Sequence, residues 1–412
     1  MSPKPLHILY ICQYFPPEMG APAARAYEFS RRWVAAGHRV TVLCGIPNHP
    51  TGVVYPGYRR QWRRKERIDG IDVHRIWVYV TPNAGTFRRS INYLSFGLTA
   101  MLGSRAIKDV DICIASTPQF FAGIAGTFIR RLRHIPLCLE VRDLWPDSLA
   151  AVEIGGGGLL MRLLRRVERY MYHSADGIVI VSPAFRAHIE ATGIPSGRLH
   201  VVPNGVNAAL FHPRPGPRQH FRQWAGRTLV GYIGTHGMAH GLECILDAAR
   251  LLADTDMHFV FVGEGARKEE LKRYAADMDN VSFLDRRPRE TIAEMLAELD
   301  IAVVSLRDTP LFRTVIPSKM FEIMGSGIPM ALGVDGQARS ILEDADAGVA
   351  FPPGDANALA AALRRLSADP ALRQRYGKNA SHHVRRKYDL DVLYRTYLDT
   401  LLVLCRNRGG NP

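Results

Sequence analysis

The residues best placed to do chemistry lie in TVIPSKMFEIMGSGIPMA, residues 314–331, where Lys319 and Glu322 stand three apart between Pro317 and the glycines 325 and 327. A proline suits the first turn of a helix, where a missing N–H costs nothing, and glycines suit its end. The run IPMAL that follows reads as a short buried strand. Lys319 and Glu322 then share one face of a short helix whose free amides, from Ser318 onward, point at its entrance and attract phosphate. A solvated Lys/Glu pair on a surface helix is the other reading. Arg313, just upstream, is either a second cation for such an anion or a surface residue.

Two further loops carry the same kind of signal. QYFPPEMGAPAARAYEF, residues 13–29, joins an apparent strand to a helix; Gly20 there allows close backbone approach, and Arg25 follows in the helix. YIGTHGMAHGLE, residues 232–243, makes the same connection in the second half, with Gly234, Gly237 and Gly241 around Thr235 and His236. A phosphate cradle and an ordinary tight turn both fit it, and it is not the dinucleotide fingerprint.

The elements needed to hold these loops recur in both halves. Strands are expected in LHILYIC, RVTVLC, IDVHRIWV, DICIAS, PLCLEV, DGIVIVS and LHVVP, with amphipathic helices over 23–37 and 159–175. After the proline- and glycine-rich 203–218 the pattern restarts with TLVGYIG, MHFVFVGEG, NVSFL, DIAVVSL, IPMAL and AGVAF. This predicts an α/β protein of two doubly wound Rossmann-like domains, 1–206 and 207–387, with a central cleft and a C-terminal helix, 388–412, crossing back to the first domain. DGIVIVS, DICIAS and DIAVVS echo one another as aspartate, buried strand, serine.

Composition narrows the class. The 412 residues are 47% apolar and 22% charged, which describes a globular chain. Six scattered cysteines without metal-ligand spacing read as buried thiols of a reducing compartment. Five residues before the first strand leave no room for a secretory signal, and no apolar window is long enough for a bilayer span, so a cytoplasmic protein is expected. The net charge of +14 is lopsided: residues 1–205 hold 26 Lys and Arg against 14 Asp and Glu. The densest stretch is YRRQWRRKER, residues 58–67, joined by Arg88, Arg89, Arg130, Arg131 and Arg133. Such a face suits an anionic membrane surface better than nucleic acid, for which no reading module is present.

The order of motifs resembles the retaining GT-B glycosyltransferases of family 4, in the WbuB-like branch of O-antigen and capsule sugar transferases. The likeness runs through YFPPEMGAPAARAYEFSRRWVAAGHRVTVLCG, EVRDLWPDSL, ADGIVIVS, VVPNGVNAALFHP, GYIGTHGMAHGLECILDAA, FVGEG, LDIAVVSL, IPSKMFEIMGSGIPMAL and GVAFPPGD. It implies a UDP-sugar donor on the second domain and a polyprenyl-diphosphate-linked saccharide acceptor on the first. It also implies peripheral attachment to the inner face of the plasma membrane, with no required metal or cofactor. Glu322 matches the second glutamate of the family's E-x7-E pattern, expected to hold the ribose hydroxyls; position 314, where the first would fall, is Thr314. The usual diphosphate-binding arginine and lysine are Thr235 and His240 here.

The resemblance therefore makes Asp143, Lys319 and Glu322 the expected catalytic residues. Donor binding is expected from Gly20, Arg25, Gly234, Thr235, His236, Gly237, Gly263, Arg313, Ser318, Lys319 and Glu322. Lys319 inherits the task of neutralising the leaving diphosphate. Asp143, in EVRDLWPDSL, is the chosen neighbour of the donor sugar, with Glu140, Arg142 and Asp147 as rivals and a helix-capping aspartate as the alternative. No nearby carboxylate pair supports a covalent double displacement. A nucleotide-sugar epimerase and a basic nucleic-acid-binding protein are the competing functions.

Overall fold

The computed structural model describes residues 4–18, 20–49, 52–81, 86–117, 120–148 and 158–409. The chain divides into two units, residues 1–203 with 393–412, and residues 204–392.

The first unit is built on an eight-stranded sheet in the order β3-β4-β2-β1-β5-β6-β7-β8. Its strands are β1 (His7–Ile11), β2 (Arg39–Gly45), β3 (Arg63–Ile68), β4 (Ile71–Ile76), β5 (Ile112–Ser116), β6 (Leu137–Val141), β7 (Gly177–Ile180) and β8 (Leu199–Val201). Every pairing is parallel except β3 with β4. The central strands HILYI, ICIAS and LCLEV are buried at every position, as strands covered on both faces must be.

Strand β3, RRKERI, lies within the stretch read from sequence only as a basic patch. It forms a hairpin with β4 across Asp69 and Gly70, both at positive φ (48° and 80°), the geometry of a two-residue type I′ turn. The dipeptide Asp-Gly between Ile68 and Ile71 is the signal that could have located it. Alternate residues Arg63, Lys65 and Arg67 are exposed, and a charged edge of this kind resists further strand pairing.

The second unit carries a fully parallel sheet in the order β11-β10-β9-β12-β13-β14. Its strands are β9 (Thr228–Ile233), β10 (Met257–Val262), β11 (Val281–Leu284), β12 (Ile301–Ser305), β13 (Met330–Gly333) and β14 (Gly348–Ala350). In both units the order reverses beside the first strand, between β1 and β5 and between β9 and β12. Such switch points open a crevice at the strands' carboxyl ends.

The repeated aspartates have a structural job. Asp111, Asp176 and Asp300 each precede a strand and accept the amide at the start of a neighbouring one: His7, Leu137 and Leu229, at 2.7, 2.8 and 2.7 Å. The final helix, Leu390–Gly409, returns to the first unit. Tyr397 meets Phe29 and Trp33 edge-on at 5.3 and 5.2 Å, and the Trp33 indole N–H donates to the Tyr394 carbonyl.

Candidate active site

In the second unit, the loop after β9 begins at Gly234, whose φ of 150° is closed to most side chains. Its amide donates to Val262 O at 2.9 Å, and the His236 amide donates to Glu264 O at 2.9 Å, so this loop runs beside the one that follows β10. A Cβ on Gly263 would collide with the Gly234 carbonyl, which is why FVGEG needs a glycine there. Gly237, by contrast, has ordinary φ and room for a side chain. Thr235 is exposed, and its carbonyl accepts the Tyr232 hydroxyl at 2.8 Å.

Lys319 reaches this loop from the helix Lys319–Gly325, whose seven residues follow Ser318 as N-cap. The Ser318 side chain makes no capping bond. The lysine Nζ sits 3.8 Å from the centroid of the Tyr232 ring and directly against the Cα of Gly234, where any Cβ would strike it. It is buried and has no hydrogen-bond partner among the described residues. Burial drives its pKa down to about 7, with Glu322 pulling weakly the other way. The solvated Lys/Glu pair is thereby excluded: Glu322 instead accepts Arg289 at 3.2 Å, and the two side chains are each about a quarter exposed.

Two imidazoles complete the surroundings. His236 is fully buried with both ring nitrogens unpartnered, and burial followed by Lys268 and Lys319 lowers its pKa to about 4. Burial and Lys319 take His240 to about 3. Both are neutral near pH 7, so positive charge at the Gly234 loop comes from Lys319 and not from the imidazoles. Sequence reasoning missed Tyr232 and Arg289; neither stands in a spacing that marks it, since one lies inside an apolar strand and the other opens an ordinary helix.

Arg313 is exposed and pairs with Asp308 at 3.3 Å. In the first unit, Gly20 has φ 143° and caps the helix Ala21–Ala35. Arg25 is placed in the interior: its Nε donates to Glu140 at 2.8 Å, and its terminal nitrogens donate to the carbonyls of Pro203 and Val202. That engagement is architectural, joining β6 to the end of β8. Asp143 is half-buried beyond β6; burial lifts its pKa to about 6 against the pull of Ser148 and the Leu144 amide. Asp147 pairs with Arg165 at 2.9 Å.

Of the basic residues outside 58–67, Arg130 is held bidentately by Asp176, and the side chain of Arg89 lies outside the described residues. No helix among the described residues is long and apolar enough to cross a membrane.

Residues 20–205 match the Glycosyl transferase 4-like domain and residues 227–369 match Glycosyl transferases group 1. WcaI of Escherichia coli K12, a glycosyl transferase named for colanic acid biosynthesis, is 25% identical over 309 residues, covering 72% of this chain and 75% of WcaI. WbjE of Pseudomonas aeruginosa, named as a glycosyltransferase, is 26% identical over 277 residues, covering 65% and 68%. Among solved structures, sucrose-phosphate synthase of Thermosynechococcus elongatus superposes with TM-score 0.76 at 18% identity, covering 98% of this chain and all of that one. Anabaena HepE in complex with UDP and glucose gives 0.72 at 17%, covering 96% and 98%. The two Rossmann-like domains are those of the GT-B fold.

Proposed function

Because the chain is a glycosyltransferase by its two matched domains, we propose that it moves a hexosyl or N-acetylhexosaminyl group from a UDP-sugar to a lipid-linked saccharide, with retention of configuration, in cell-surface polysaccharide synthesis. Two of its relatives point the same way in their names, one to colanic acid and one to the O-antigen chain. HepE was solved with UDP, which favours that nucleotide.

One observation carries the reading: a buried lysine amine with no hydrogen-bond partner among the described residues, held against Gly234 at the switch point of the second sheet. As the glycosidic bond breaks, charge accumulates on the departing diphosphate. A preplaced cation is worth about 3–4 kcal/mol there, by analogy with a single oxyanion-hole donor. Lys319 supplies the charge that a metal would otherwise bring, so activity should survive a chelator. Glu322 accepts the ribose hydroxyls once Arg289 yields one carboxylate oxygen. We assign Asp143 a role toward the reacting sugar, and the departing diphosphate helps to take the acceptor's proton.

Attachment to the inner membrane face fits the exposed Arg63, Lys65 and Arg67 on β3 beside Trp62, which is 72% exposed. Each such cation near an anionic surface contributes about 1 kcal/mol. Flotation with anionic liposomes, weakening as salt rises, is the expected result.

The deciding test is a thermal-shift series over nucleoside diphosphates and UDP-sugars. A true donor at a hundred times its dissociation constant adds about 2.7 kcal/mol of stability. No shift with any of them refutes the proposal, and donor turnover without an acceptor would mark an epimerase instead.

A further inference from the structure

The carboxyl edge of the first sheet holds a second cation whose partner is missing. Arg142 follows β6 directly, and its Nε is buried without a hydrogen-bond partner among the described residues. Its backbone amide donates to the Thr117 hydroxyl at 3.4 Å, which fixes the residue beside the end of β5, at the switch point. The carboxylate that ought to compensate it is Glu140, and Glu140 is used up. One oxygen accepts Arg25 Nε at 2.8 Å; the other accepts the Tyr10 hydroxyl at 2.7 Å and the Ser116 hydroxyl at 2.6 Å.

Asp143, next along the chain, makes no ion pair with Arg142, whose charge is the smallest of the influences that lower its pKa against burial. Burial, the largest influence on Arg142, and the neighbouring Arg25 both act against its charge, so its protonated form is held here at a cost that Glu140 only partly offsets. A half-buried guanidinium whose Nε is unbonded at the end of a sheet strand can present its donors to a planar or tetrahedral oxyanion.

We propose that Arg142 binds an oxyanion of the saccharide acceptor, a phosphoryl or carboxylate group, in the crevice of the first unit. The identity of the carrier as an acceptor rests on the glycosyl-transfer reading above; the anion site itself does not. The group would come either from a lipid diphosphate or from an acidic sugar, and the two are separable by probe.

The test uses the full chain with UDP saturating, so that Lys319 is already occupied, and titrates inorganic pyrophosphate in one arm and glucuronate in the other by calorimetry. At least one anion should bind, and Arg142→Met should weaken it tenfold or more while UDP affinity stays within twofold. Without any anion, Arg142→Met should melt at or above the wild-type temperature, because it removes an uncompensated charge. Unchanged anion affinity, a lowered melting temperature in anion-free buffer, or a parallel loss of UDP affinity would each overturn the assignment. So would failure of both anions to bind wild type. If UDP itself does not bind, the donor reading fails alone, and the same pyrophosphate titration on Lys319→Met still reports on Arg142.

Discussion

Replacing Lys319 by methionine separates the cost of this residue from its use. In the folded chain its pKa is about 7, against 10.5 for an ordinary lysine. Between those two pH values the unfolded chain binds a proton that the folded chain does not. Stability therefore rises with pH from 7 to 10.5, and the penalty is complete below pH 7. At 1.36 kcal/mol per unit, the 3.5-unit difference corresponds to about 5 kcal/mol, an upper bound. Lys319→Met keeps the length of the aliphatic stem and removes the charge. It should stabilise the ligand-free protein by up to about 5 kcal/mol at pH 6, and the gain should fall below about 1 kcal/mol by pH 10. For a unit of this size that is a rise in melting temperature of at most roughly 10–20 °C at the acid end.

The same substitution should abolish the stabilisation by UDP. In wild type a bound diphosphate raises the lysine's pKa again, so binding must take up protons: about half a proton at pH 7 and close to one at pH 8.5. Calorimetry in buffers of different ionisation enthalpy measures this directly. A variant that is less stable than wild type at pH 6, or UDP binding without proton uptake, refutes the idea that Lys319 is an unpaid buried charge awaiting a phosphate.

Other substitutions test the remaining assignments. Glu322→Gln should weaken UDP by about 1.5–3 kcal/mol, the range for a hydrogen bond to a charged group, while leaving affinity for inorganic pyrophosphate unchanged. Asp143→Asn should cut kcat by about 10²–10⁴-fold with UDP affinity intact, and an unchanged rate would remove Asp143 from the mechanism. Glu140→Gln strands Arg25 beside Arg142 and should cost about 3–5 kcal/mol in denaturant unfolding, because it breaks a buried pair from one side. Gly263→Ala drives a methyl into the Gly234 carbonyl, so UDP affinity should fall, as a nucleotide titration would measure.

What the sequence disclosed and what it hid follow from the range of the interactions involved. Strands such as ICIAS and IAVVS are buried on both faces by helices that the same alternation supplies, so local pattern alone finds them. RRKERI escaped because its pairing partner is a single neighbouring strand and alternate side chains face solvent, leaving only the Asp-Gly turn as a mark. Arg25 shows the opposite failure. Its place after a glycine at a helix start fits an anion contact, yet the residue that decides its role, Glu140, lies 115 positions away. The pair Lys319 and Glu322 was legible as a pair and misleading as an ion pair. Three residues of helix bring the two onto one face, but tertiary packing turns the ammonium toward Gly234 and gives the carboxylate to Arg289.

That last divergence is also the reason to read this crevice as a binding site rather than as packing. A core that only needed to be filled could place methionine at 319 and be more stable for it, and the same holds for Arg142 in the other unit. Each sheet thus carries, at its own switch point, one cation that folding alone disfavours. Two independent costs at corresponding places are most simply explained by two anions, one for each substrate of a transfer reaction. On that view the double variant Lys319→Met, Arg142→Met should be the most stable and the least active of the set, because each substitution removes a charge that its own unit disfavours. A double variant that melts below either single one would refute the view that both charges are costs of folding.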